Sequence, residues 1–199
     1  MSDFNWSDEP DLEEFRRLYT LLSTRPEEAL VGLTSLADRG SMASMFYLAD
    51  AYKVGERTSK DLNLAKYWYE RAEQMGSAPA SYMLGRVFLL LQEYVSALAA
   101  FSRGADRQYP PAMYRLAKMY QCGVGTDKNM VECRRLLEAA VARGHIFSKR
   151  DLATLFIRGE FGTRLVFRGA LMLMSLIFDI VGLVAKAIRR GPLDERILA

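Results

Sequence analysis

Four copies of one short pattern, repeating in register, constrain this chain more than any single residue does. In each copy a small residue is followed four positions later by Leu, then at once by a second small residue, and an aromatic comes four after the Leu. The copies are Ser44, Leu48, Ala49, Tyr52; Ala80, Leu84, Gly85, Phe88; Ala112, Leu116, Ala117, Tyr120; and Ser148, Leu152, Ala153, Phe156. Gly55, Gly123 and Gly159 close three of them, and successive copies lie 36, 32 and 36 residues apart. A period of that length belongs to stacked helical hairpins, each too thin to bury its own apolar face, so that the core forms only where neighbours stack.

Leu and the aromatic, four apart, share one face of a helix. The small residue beside the Leu removes bulk and lets a second helix come close. Gly then falls where the first helix stops, because a left-handed cap costs Gly little. The second helix has columns of its own: Ala65, Ala97, Cys133 and Gly169; Tyr69, Phe101, Leu137 and Leu173; Ala72, Gly104 and Ala140. One period upstream, Ala29, Leu33, Leu36 and Gly40 predict a weaker hairpin from about Asp11 to Gly40. The second hairpin is shorter by four residues, a deletion that falls in its inter-helix loop, where stacking tolerates it.

Leu–small–x–x–aromatic–x–x–Gly, followed by Asp61, Ala65, Trp68, Ala72 and Gly76, resembles the Sel-one-like repeat, a relative of the tetratricopeptide repeat with a longer loop. The resemblance covers roughly residues 26–176. The copy Ser44–Gly76 carries it best; the second copy lacks the Gly-rich loop, and the fourth loses the pattern in its second helix. It implies an all-α fold, a right-handed α/α superhelix of four to five helical hairpins, with protein-interaction or scaffolding roles and no shared chemistry. The expected organisation is a disordered acidic N-terminus over 1–10, a solenoid over 11–162, a long apolar C-terminal helix over 163–190 and a tail over 191–199.

In tetratricopeptide-like stacks the first helices line a concave groove. Carried over by resemblance, that geometry selects the positions two before and two after the repeated Leu: Phe46, Tyr82, Tyr114 and Arg150, then Asp50, Arg86, Lys118 and Thr154. Aromatics and cations alternating there suit an extended peptide bearing carboxylates. The competing reading has the aromatics half-buried between neighbouring helices and the cations simply solvating the face.

The last helix departs from what a solenoid needs, which is a polar outer face on its terminal element. GALMLMSLIFDIVGLVA, from Gly169 to Ala185, holds one charge, Asp179, and its apolar residues run all round. Arg164 and Arg168 precede it; Lys186, Arg189 and Arg190 follow it, before Gly191–Pro192. Leu171, Leu173, Leu176, Ile177, Phe178, Ile180, Leu183 and Val184 are the expected attachment residues. On an insertion scale the nine Leu, Ile, Val and Phe, at about −0.3 to −0.6 kcal/mol each, barely outweigh one central Asp at about +2.5 to +3.5. Spanning a bilayer, docking at its interface through residues 165–190, covering by a partner protein or second copy of the chain, and folding back as core all remain open.

Composition bounds the rest. Half of the 199 residues are apolar, enough for a core without staples, and the net charge is only +3. That charge is uneven: residues 1–40 hold nine acids against four Arg, while the C-terminal end is Arg-rich. An N-terminus as acidic as MSDFNWSDEPDLEEF is unlike a secretory signal, so a cytoplasmic location is expected, with attachment to the cytoplasmic face of a membrane as an option. Cys122 and Cys133 read as two small buried thiols. The lone His145 supplies neither a metal site nor a triad, so no metal, cofactor or catalytic residue is expected and the chain reads as no enzyme. Scattered basic residues match no nucleic-acid module. The function expected is an interaction adaptor; the alternative is a membrane-embedded accessory subunit of an envelope or polysaccharide-assembling complex.

Overall fold

The computed structural model describes residue 9 and residues 11–189, and among them it holds ten α-helices and no strand. They are α1 (Leu12–Leu21), α2 (Pro26–Asp38), α3 (Met42–Val54), α4 (Leu62–Gln74), α5 (Ala78–Leu90), α6 (Tyr94–Asp106), α7 (Pro110–Cys122), α8 (Met130–Ala142), α9 (Ile146–Ile157) and α10 (Val166–Arg189). The segments expected as N-terminal arm and tail, 1–10 and 191–199, lie outside the described residues except for Glu9. The chain divides into two compact units, one up to Asn129 and one from Met130 onward.

In the first unit each of α1 to α7 packs on the next, and α5 also reaches α7 past α6, as stacked hairpins require. The repeated columns form its core: Leu48, Leu84 and Leu116 are buried, as are Ala49, Ala117, Tyr69 and Phe101. Gly85 shows why one column stays small, because a Cβ there would stand 2.6 Å from the Phe101 ring. Helix starts repeat too. The Ser41 and Ser77 side chains accept from the backbone N–H of Ser44 (3.1 Å) and Ala80 (3.3 Å), satisfying donors that a first turn leaves free. At the same position α7 begins on Tyr109 and Pro110, with proline supplying the preset φ instead. The carbonyls of Tyr52, Phe88 and Tyr120 accept from Asp61, Glu93 and Asn129, all at 2.9 Å, so the four-residue deletion is absorbed inside one conserved backbone closure.

Glu9 is buried at the start of α3, where its carboxylate takes the Ser41 hydroxyl and the Ala43 N–H (3.1 Å), an anion at the positive end of a helix.

In the second unit α8 packs on α9, and α9 on α10 through a short 3-10 turn at Thr163–Leu165. Leu137, Leu152, Ala153 and Phe156 are buried there. Gly169 continues the small column of the second helices: a Cβ on it would lie 2.7 Å from the Ala153 carbonyl oxygen and 2.9 Å from Phe156 Cβ. Cys133 is buried as expected, but Cys122, at the end of α7, is exposed.

Candidate partner-binding face and attachment helix

Six of the eight groove residues stand in the first unit, on α3, α5 and α7. Phe46 is half-buried, edge-on to Tyr69 with ring centroids 5.7 Å apart. Asp50 accepts the Tyr69 hydroxyl at 2.7 Å and pairs with Lys53, whose ammonium lies 5.6 Å from the Tyr69 ring centre. Burial pushes the Tyr69 hydroxyl well above the usual tyrosine range, and the charge and hydrogen bond of Asp50 push it the same way, against Arg86. In the sequence Tyr69 stands in a column of large, mostly apolar residues, and nothing there marks Lys53. The one available signal is that the column Tyr69, Phe101, Leu137, Leu173 carries a hydroxyl in its first member alone, and a buried hydroxyl demands a partner.

One hairpin along, Tyr82 is half-buried against Phe101 (6.0 Å) and Tyr109 (5.9 Å). Arg86 is exposed and stacks on Tyr82, 5.8 Å from its ring centre, with no carboxylate partner among the described residues. On α7, Tyr114 is half-buried and Lys118 donates to Gln121 at 2.6 Å. The face is therefore partly occupied by its own contacts: Asp50 is spoken for, and the aromatics lend one edge to the core. What it offers outward is the Arg86–Tyr82 pair. Arg150, in the second unit, lies over Phe147 (5.5 Å) and pairs with Asp151 (2.7 Å), so its charge is largely answered. Thr154 donates to the Arg150 carbonyl.

A polar cluster unforeseen from the sequence ties α4 to α6. Glu73, 9% exposed, takes both Arg103 nitrogens at 2.9 Å, while Arg107 lies 3.6 Å from it and donates to Ser81 at 2.6 Å. Burial raises the Glu73 carboxyl, yet the hydrogen bonds from Arg103 and Ser81 and the charges of Arg103 and Arg107 outweigh it and hold the group below the usual carboxylate range.

His145 sits where Ser41 and Ser77 do. Its Nδ1 accepts the Ser148 N–H at 3.2 Å and meets the Ser148 hydroxyl at 2.8 Å, capping α9. Burial lowers its pKa, against the charge of Asp151. Ser148 is wholly buried, so this His–Ser contact is a cap without substrate access.

Of the expected attachment residues on α10, Leu171, Ile177, Phe178, Ile180 and Val184 are exposed. Leu176 corrects that expectation: it is 8% exposed and faces α9, as does half-buried Leu173, because the register that brings Gly169 against α9 also turns them inward. The Leu183 side chain lies outside the described residues. Phe167, Met174 and Val181 complete the exposed face. Nor is the helix apolar all round: Arg168, Ser175, Asp179 and Gly182 run along one edge at spacings of seven, four and three. Asp179 is paired with Lys149 of α9.

Comparison with known proteins agrees with this architecture. The family model for the Sel1 repeat matches residues 43–77 and 110–145. A protective antigen of uropathogenic Escherichia coli displaying an SLR fold is similar over 94% of this chain and 50% of its own, with a TM-score of 0.71 and 18% identity. A Sel1 repeat protein from Oxalobacter formigenes is similar over 83% of this chain and 74% of its own (TM-score 0.66, 18% identity), and MamA over 77% and 90% (TM-score 0.57, 16% identity). This chain spans half the length of the E. coli protein.

Proposed function

We propose that this chain, which matches the Sel1 repeat over residues 43–77 and 110–145, is a non-enzymatic scaffold that holds a partner protein along α3, α5 and α7 and attaches through α10 to a membrane or a second protein. The observation that carries the reading is the exposed Arg86 stacked on Tyr82, with Lys118 one hairpin further along the same row. A guanidinium held against a ring is already oriented, so binding a carboxylate there orders little that is not ordered. The partner class this favours is an extended, acidic peptide segment. The action is rigid presentation of surface, on the cytoplasmic side of the membrane, with no covalent step.

Replacing Tyr82, Arg86 and Lys118 together with Ala should leave helicity intact and weaken capture of partners that co-purify with the wild-type chain by roughly tenfold or more. Equal capture would remove this face from the account. The second reading, a membrane-embedded accessory subunit of an envelope or polysaccharide-assembling complex, draws on Thr163–Gly182, 20 residues long and apolar enough to cross a bilayer. Dependence on detergent for extraction would favour it, and recovery without detergent would exclude it.

A further inference from the structure

Resting on the reading of α10 as an attachment device, we infer that α10 lies flat in the interface of a bilayer rich in anionic phospholipid, with its outward sector down, and does not cross it. Beside an exposed apolar flank of Ile177, Ile180 and Val184, three sectors divide the helix. Gly169 and Leu176 belong to the sector taken by α9. Arg168, Ser175 and Asp179 form a polar edge. Phe167, Leu171, Met174, Phe178 and Val181, spaced four, three, four and three, form an outward apolar sector, with Phe167 and Phe178 each 73% exposed. That division is the pattern of a helix lying in a membrane plane, once α9 is counted as part of its upper side.

Crossing is opposed by α9. It has 12 residues, too few to span a hydrocarbon core of about 30 Å, and its charged Lys149, Arg150 and Asp151 would be drawn into lipid with α10. Lying flat keeps them in water and leaves the Lys149–Asp179 pair intact, so the one acid on the apolar run is answered within the protein.

Charge names the occupant. Residues 130–199 hold twelve Lys and Arg against seven Asp and Glu, and the apolar run has Arg164 and Arg168 before it and Lys186, Arg189 and Arg190 after it. A second copy would bring cations against cations in either orientation. An anionic surface meets them all. Arg168 also stands over the Phe156 ring at 5.5 Å, as Arg134 does at 5.4 Å, and the two line an open cleft of about 500 Å³ beside the helix. Glu138 answers Arg134 at 3.1 Å, whereas Arg168 has no carboxylate partner among the described residues and is placed to meet a lipid phosphate.

The test is flotation of the full chain with phosphatidylcholine vesicles, with and without phosphatidylglycerol. The inference expects binding at least about tenfold stronger with phosphatidylglycerol, weakened by salt and released by alkaline carbonate. Phe178→Asp with Val181→Asp should lower binding at least about tenfold with circular dichroism unchanged. Arg168→Glu, which leaves the apolar sector whole, should erode the preference for anionic vesicles. Carbonate-resistant binding would overturn flat docking while leaving α10 an attachment device. A soluble chain that floats with neither vesicle would overturn membrane docking, and a dimer dispersed by Phe178→Asp would give the sector to a second copy; in both cases the partner-binding face on α3, α5 and α7 is untouched.

Discussion

Gln108 holds a backbone φ of 62° at the position where Gly40, Gly76 and Gly144 hold 99°, 89° and 80°. Nothing lies within 4 Å of a Cβ built on any of those three glycines, so the column is kept by conformation and not by space. A side chain in the left-handed region costs about 1 kcal/mol. Gln108→Gly should therefore raise stability by about that amount in chemical denaturation, and Gly76→Ala should lower it similarly. Tyr69→Phe should cost about 1–3 kcal/mol, since it strips Asp50 of a donor at no change in packing. His145 gives a pH signature. Its folded pKa lies below the unfolded value of about 6.5, so the contribution is complete above that pH and is lost as pH falls through the folded value, where a protonated Nδ1 can no longer accept the Ser148 N–H. His145→Asn keeps an acceptor and should flatten the melting temperature between about pH 5 and 7.

Hairpins were legible because periodicity of three to four with small residues beside Leu is a property of neighbours in sequence. Ala49, Gly85, Ala117, Ala153 and Gly169 all mark close helix approach, and all follow from the register. What escaped comes from contacts no local spacing encodes. Glu73 meets Arg103 across 30 positions, Lys149 meets Asp179 across 30, and Glu9 reaches Ser41 across 32. The inward turn of Leu176 was equally hidden, since an apolar run names no preferred side until a neighbour takes one. Two consequences are testable on these elements. Gly169→Leu should force α10 from α9 and lower the melting temperature of the second unit, whereas Gly182→Leu, with open space around it, should not. Glu73→Gln should cost roughly 1–2 kcal/mol at neutral pH and remove the stability that the wild-type group loses below about pH 4, as a carboxyl with a depressed folded pKa becomes protonated.

For the molecule as a whole, stability is shared between neighbours, so losing an end element harms the one it covers. Ending the chain after Gly162 removes the 24 residues of α10 and bares the side of α9 that Gly169 and Leu176 close. Helicity should fall by more than those 24 residues account for, even as the exposed apolar sector disappears. The division of labour proposed here, a partner face on the first helices and an attachment sector on α10, meets its most direct test in hydroxyl-radical footprinting of the full chain with and without an extended Asp- and Glu-rich peptide. Phe46, Tyr82 and Tyr114 should lose reactivity while Tyr67 and Tyr94, exposed on α4 and α6, keep theirs. Protection of Tyr67 and Tyr94 with Tyr82 unchanged would contradict it.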